Sequence, residues 1–144
     1  MASYNELLVS ASDAEVLASV VGERGRGHHA ELEAADALAD VLMGARLVPH
    51  EALPPNRVAM NSVVTYCEEP GGARRTVAVV HPNEANAAKG RISVLSPVGR
   101  ALLGRKPGAV IAVGVPGGRG LHVLILSVGR TAEALNNAIT EEAS

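Results

Sequence analysis

Arg91-Ile92-Ser93-Val94-Leu95-Ser96-Pro97-Val98-Gly99-Arg100-Ala101-Leu102-Leu103-Gly104-Arg105-Lys106-Pro107-Gly108 decides the fold. Ile92, Val94 and Leu95 are strand formers. Ser96 is a good helix N-cap, and Pro97 suits the first helical position, where a missing N–H had no partner. Ala101, Leu102 and Leu103 supply an apolar face. Gly104 can take the left-handed conformation that stops a helix, and Pro107-Gly108 prevents its return. The segment therefore predicts a strand, a tight break, a short helix and a glycine-closed turn.

Further segments surround it in a fixed order. Val58-Ala59-Met60-Asn61-Ser62-Val63-Val64 precedes it, then Val80-His81-Pro82, and Val115-Pro116-Gly117-Gly118 follows. In this order and spacing the chain resembles the short relatives of the bacterial GreA/GreB transcript-cleavage factors, the Rnk (regulator of nucleoside diphosphate kinase) family. The resemblance runs over roughly residues 10 to 130.

The chain has 144 residues, enough for one domain or a small domain with an appendage. Its hydrophobic content of 47% argues against disorder. There is no Phe and no Trp, and Tyr4 and Tyr66 are the two tyrosines, so a stacking platform for single-stranded nucleic acid is not expected. A formal charge of −2 gives no support to generic phosphate-backbone binding, and no sequence-specific DNA binding is expected. Cys67 is the single cysteine, which excludes an intrachain disulfide. No apolar run approaches membrane-spanning length, and the N-terminus lacks a signal-peptide pattern. A soluble monomer is expected, and the resemblance places it in the bacterial cytoplasm.

Ser12 and Glu15 have capping-box spacing, and Ala14, Leu17 and Val21 fit one face of a short helix. Gly22, Gly25 and Gly27 should end it. A second helix is expected from about 28 to 45, with Leu32, Ala35, Ala39 and Leu42 at helical spacing. At 1.5 Å per residue these helices would be ~15 Å and ~27 Å long, a short antiparallel hairpin. Residues 1–47 are assigned to this arm, 48–57 to a Pro-rich linker, 58–130 to a strand-rich domain and 131–144 to a tail. Strands are expected at 62–68, 75–80, 91–95, 109–115 and 121–128, with a helical turn near 84–89. The class is α+β, one short helix packed on an antiparallel sheet. The resemblance sharpens this to an FKBP-like fold.

Several motifs have plain structural explanations. Gly99-x4-Gly104-Arg105-Lys106 lacks the Lys-Ser/Thr pair of a phosphate loop, and its glycines bracket a helix instead of preceding one. Adjacent His28 and His29 diverge on a helix and lack further ligands. Glu33, Asp36 and Asp40 form an acidic stripe that reads as a solvated helix face or as a contact for a basic partner. No cofactor, metal or catalytic residue is expected.

The resemblance implies RNA polymerase as partner, gripped at the rim of the secondary channel. The implied docking edge is Ser96 and Pro97, with Arg100, Arg105 and Lys106 as charge partners. Ser96 and Pro97 equally serve as a helix cap. In the cleavage factors, acidic residues at a long coiled-coil tip help hold a catalytic metal, because hard cations need carboxylate oxygens. Here the tip is Glu23, Arg24, Arg26, His28 and His29, with one carboxylate among cationic groups. The expectation is a polymerase-binding regulator without cleavage activity, not an enzyme. Two alternatives remain: an indirect regulator of nucleotide metabolism acting through another protein, and a peptidyl-prolyl isomerase. The isomerase needs an aromatic proline pocket that a chain without Phe or Trp cannot build in the usual way.

Overall fold

A computed structural model describes residues 6–27, 29–69, 72–114 and 120–129. The readings at Tyr4, His28, Val115-Pro116-Gly117-Gly118 and the tail 131–144 lie outside the described residues.

The chain opens with β1 (Leu8–Ser10) and α1 (Ala11–Arg24), followed by α2 (His29–Gly44) and β2 (Arg46–Val48). The cap of α1 is Ser10, whose hydroxyl accepts the Asp13 N–H at 3.1 Å, not Ser12. The helix starts two residues earlier than the Ser12–Glu15 spacing suggests, because Ser10 already lies in extended backbone at the end of β1. Gly22 is accommodated inside α1, and the helix ends at Gly25, whose N–H bonds the Val21 carbonyl at 2.9 Å.

β1 and β2 pair in parallel across the base of the two helices. Arg46 and Leu47, expected at the end of the arm, and Val48, expected at the start of the linker, pair as one strand with Leu8–Ser10. A one-turn 3-10 helix at His50–Ala52 follows, and Leu53 is buried.

The remaining strands form one sheet. They are β3 (Val63–Glu69), β4 (Arg74–Val80), β5 (Arg91–Ser93), β6 (Val110–Val113) and β7 (Leu121–Gly129), in spatial order β5-β4-β3-β7-β6. The expected antiparallel sheet is in fact mixed: β5 runs parallel to β4. Two 3-10 turns, Pro82–Glu84 and Ala87–Lys89, carry the chain back before β5 begins. Parallel neighbours require such a crossover, whereas a tight hairpin would have reversed the strand. The single short helix is present as α3 (Pro97–Leu102), capped by Ser96.

The quoted motifs each have a local job. Asn61 adopts φ +71°, and the Ser62 hydroxyl accepts the Ala59 N–H at 2.8 Å, turning the chain into β3. His81 Nδ1 accepts the Asn83 N–H at 3.1 Å and caps the turn that Pro82 begins. Gly99 lies against the Ser93 carbonyl, where a Cβ would collide. Gly104 has φ +79°, and a Cβ there would stand 3.2 Å from the backbone of Leu8.

One aliphatic cluster joins all layers. Leu17 and Val20 of α1 and Leu38 of α2 pack with Val64, Val79, Val94, Leu102 and Leu103, all fully buried. Polar ties reinforce the contact: the Asp13 carboxylate accepts the Met60 N–H at 3.0 Å, and Arg57 donates to the carbonyls of Glu6 and Gly104 at 2.8 and 3.0 Å.

Ser10→Ala should lower unfolding free energy by about 1 kcal/mol, with Ser12→Ala within about 0.5 kcal/mol of the parent. Gly104→Ala should cost about 2 kcal/mol or more, from backbone strain and the close approach of β1. Urea titrations of the three variants check both statements; equal effects of the two serine changes would return the cap to Ser12.

Candidate functional site

The five residues of the expected docking edge do not form one patch. Ser96 is occupied by its capping role. Its hydroxyl accepts the Gly99 N–H at 3.1 Å and donates to the Ser93 carbonyl at 2.7 Å. Pro97, Arg100 and Arg105 instead line an open groove of about 280 Å³, flanked by Ala37 and Val41 of α2 and Ile111 of β6. Lys106 is exposed and does not line it.

The two arginines differ in their bonding. The Arg100 guanidinium donates through Nη1 to the Leu95 carbonyl, the residue before the α3 cap. The Arg105 Nε–H is buried and has no acceptor among the described residues. Burial pushes both guanidiniums below their usual range, since desolvation disfavours the charged form. Sequence reasoning identified the cations but missed the apolar walls. Ala37 and Val41 lie on the same helical stripe as Leu38, and nothing in their spacing says that α3 stands opposite.

The tip of the two helices is a second polar cluster. Glu23, Arg24 and Arg26 line a depression with Glu31 and Asn83. Arg24 Nη2 donates to Asn83 Oδ1 at 3.0 Å, and Arg24 Nη1 lies 4.0 Å from Glu31 Oε1. His29 points away from this cluster to Glu33, 3.0 Å distant on the exposed face of α2. The tip thus holds two carboxylates, not the one counted from sequence, because Glu31 turns back from the first turn of α2. Two arginines share the same depression. Among the described residues no group of three or more His, Cys, Asp or Glu side chains is placed to hold a metal ion.

Tyr66 is 4% exposed and belongs to the core cluster. Its phenol is pushed up in pKa by burial first and by the Glu68 charge second. It does not line the Pro97–Arg105 cavity. Cys67 is a half-buried strand residue whose Sγ faces the Gly72 carbonyl at 3.5 Å. Among the described residues no helix is long and apolar enough to cross a membrane.

Comparison with known proteins agrees with this architecture. The family model for the C-terminal part of the transcription elongation factors GreA/GreB matches residues 53–130. The "Regulator of nucleoside diphosphate kinase" of Escherichia coli K12 is 35% identical over 106 residues, 74% of this chain and 78% of that protein. "Transcription elongation factor GreA" of Nitrobacter hamburgensis is 37% identical over 92 residues, 64% of this chain and 54% of the relative. The chain spans about half the length of the GreA proteins it matches. A solved GreA/GreB structure from Nitrosomonas europaea superposes with a TM-score of 0.67 at 32% identity, covering 86% of this chain and 98% of that one. A match that covers the whole sheet and α3, joined to one that extends over most of both chains, settles the kinship: the chain belongs to the GreA/GreB family, among its Rnk-type members.

Proposed function

We propose that this protein is a transcription regulator that docks on RNA polymerase near the secondary channel and acts by occupying that site, without cleaving RNA. In this reading residues 1–47 are a short antiparallel arm, 48–57 its connector and 58–130 an FKBP-like body that makes the main contact around Pro97, Arg100 and Arg105, with Ser96 fixing the start of α3 and Lys106 exposed beside them. It works in the cytoplasm, where the polymerase is.

The observation that carries the reading is the state of the helical tip. α1 and α2 have 14 and 16 residues, about 21 Å and 24 Å at 1.5 Å per residue. That is a short reach for a device meant to deliver carboxylates into a distant catalytic centre. Glu23 and Glu31 share their depression with Arg24 and Arg26, and Arg24 is committed to Asn83. A divalent cation needs several carboxylate oxygens and is repelled by guanidiniums.

A second reading, indirect regulation of nucleotide metabolism, is favoured by the name of the Escherichia coli relative. It needs a protein partner other than polymerase. Recovery of core polymerase, set against recovery of nucleoside diphosphate kinase, in a pull-down from native lysate at moderate salt separates the two.

Three outcomes are expected. Backtracked elongation complexes given this protein and magnesium release no cleaved RNA; factor-dependent hydrolysis overturns the occupancy reading. Pro97→Asn, folded by circular dichroism, binds polymerase at least about tenfold more weakly, because a central interface anchor is lost; unchanged affinity removes Pro97 from the docking edge. Asn83→Ala raises amide exchange at 22–27 while changing global stability by less than about 1 kcal/mol, as befits one exposed hydrogen bond; unchanged exchange there shows that Arg24–Asn83 does not hold the tip.

A further inference from the structure

The cavity between α2, α3 and β6 holds positive charge that the described part of the chain does not balance. Arg100 and Arg105 line it, and neither belongs to any of the ion pairs among the described residues, which join Arg24, His29, Arg46 and Arg75 to carboxylates. The Arg105 Nε–H is out of water and has no acceptor among the described residues. A buried donor without an acceptor is costly, while the rest of both guanidinium groups, on half-buried side chains, stays within reach of the opening. The other walls are apolar: Ala37, Val41, Pro97 and Ile111. Cationic donors at the edge of an apolar slot suit an anion that carries a short hydrocarbon stem.

We propose that this cavity receives the carboxylate of an aspartate or glutamate side chain presented by a protein partner. Size favours a side chain over a nucleotide: 280 Å³ lies just under the ~300 to 1,000 Å³ of pockets that enclose drug-sized ligands. The apolar walls favour a carboxylate on its short methylene stem over free inorganic phosphate. The donors are the free edges of two arginines, and one of Arg100's nitrogens is already spent on Leu95. The arm takes part directly, because Ala37 and Val41 are one wall; occupancy of the slot therefore bears on how α2 sits against α3. Naming polymerase as the source of that side chain rests on the docking reading above; the pocket itself does not.

The full-length protein is titrated with propionate, with propanamide as the uncharged isostere and with inorganic phosphate at matched ionic strength. Arginine Nε–H and isoleucine methyl resonances are followed by NMR. Propionate should move Arg105 Nε–H and Ile111 saturably while Arg75, already paired with Glu68 on the surface, stays still. Arg105→Gln, which removes the charge, and Ala37→Leu, which fills the slot and keeps it, should each weaken the response about tenfold. No saturation, an equal response to propanamide, a stronger response to phosphate or a matching shift at Arg75 overturns the proposal. Polymerase capture then separates the sources. Loss of capture in folded Ala37→Leu supports a polypeptide carboxylate, and capture unchanged by Ala37→Leu overturns it. Saturation by propionate with no capture by the parent protein removes the docking reading and leaves the carboxylate pocket standing.

Discussion

The structure depends on a backbone junction at Gly104. Its N–H donates to the Val58 carbonyl at 2.8 Å, and its own carbonyl accepts the Leu8 N–H at 3.1 Å and the Arg57 guanidinium at 3.0 Å. Three distant pieces of chain meet there: the first strand, the entry to the sheet and the exit of α3. Only a residue without Cβ fits, since Leu8 approaches to 3.2 Å and φ is positive. Val58 N–H returns the bond to the Arg105 carbonyl at 2.9 Å, so the cation in the cavity is placed by the same crossing.

From that junction the helices are drawn down onto the sheet. β1 leads directly into α1, and Leu17 and Val20 enter the same cluster as Val64 and Val79. Without Phe or Trp, this core must be assembled from small aliphatic groups contributed by every layer. The Asp13–Met60 and Arg24–Asn83 bonds pin the two ends of α1 to the body. The arm is thus a packed element and the cavity is a product of that packing, because α2 supplies one wall and α3 with β6 the others.

Much of this was legible in the sequence where local rules decide. Ser96-Pro97 marked the start of α3, Gly104 its stop, and the glycines at 22–27 the break between the first two helices. Strand positions followed from apolar runs. What failed was set by partners distant in sequence. Ser10 outranks Ser12 as a cap because β1 fixes its backbone, and β1 pairs with β2 through a contact that neither segment announces. The helical turn expected near 84–89 is present at Ala87–Lys89, but nothing local in 82–89 announces that the chain returns parallel to β4. The site was half legible for the same reason. The cations were visible, but Glu31, Asn83, Ala37 and Val41 join their clusters through tertiary folding alone.

The arm is packed, and the cationic slot has no carboxylate partner among the described residues. On this packing the arm stays on the body. Pulsed spin-label distance measurement tests it most directly, with labels at Glu23→Cys and Ala85→Cys in a Cys67→Ser background, free and bound to core polymerase. One short separation, the same in both states, is expected. A bound state in which the labels move apart by a helix length, with the arm swung clear of Asn83, would contradict it.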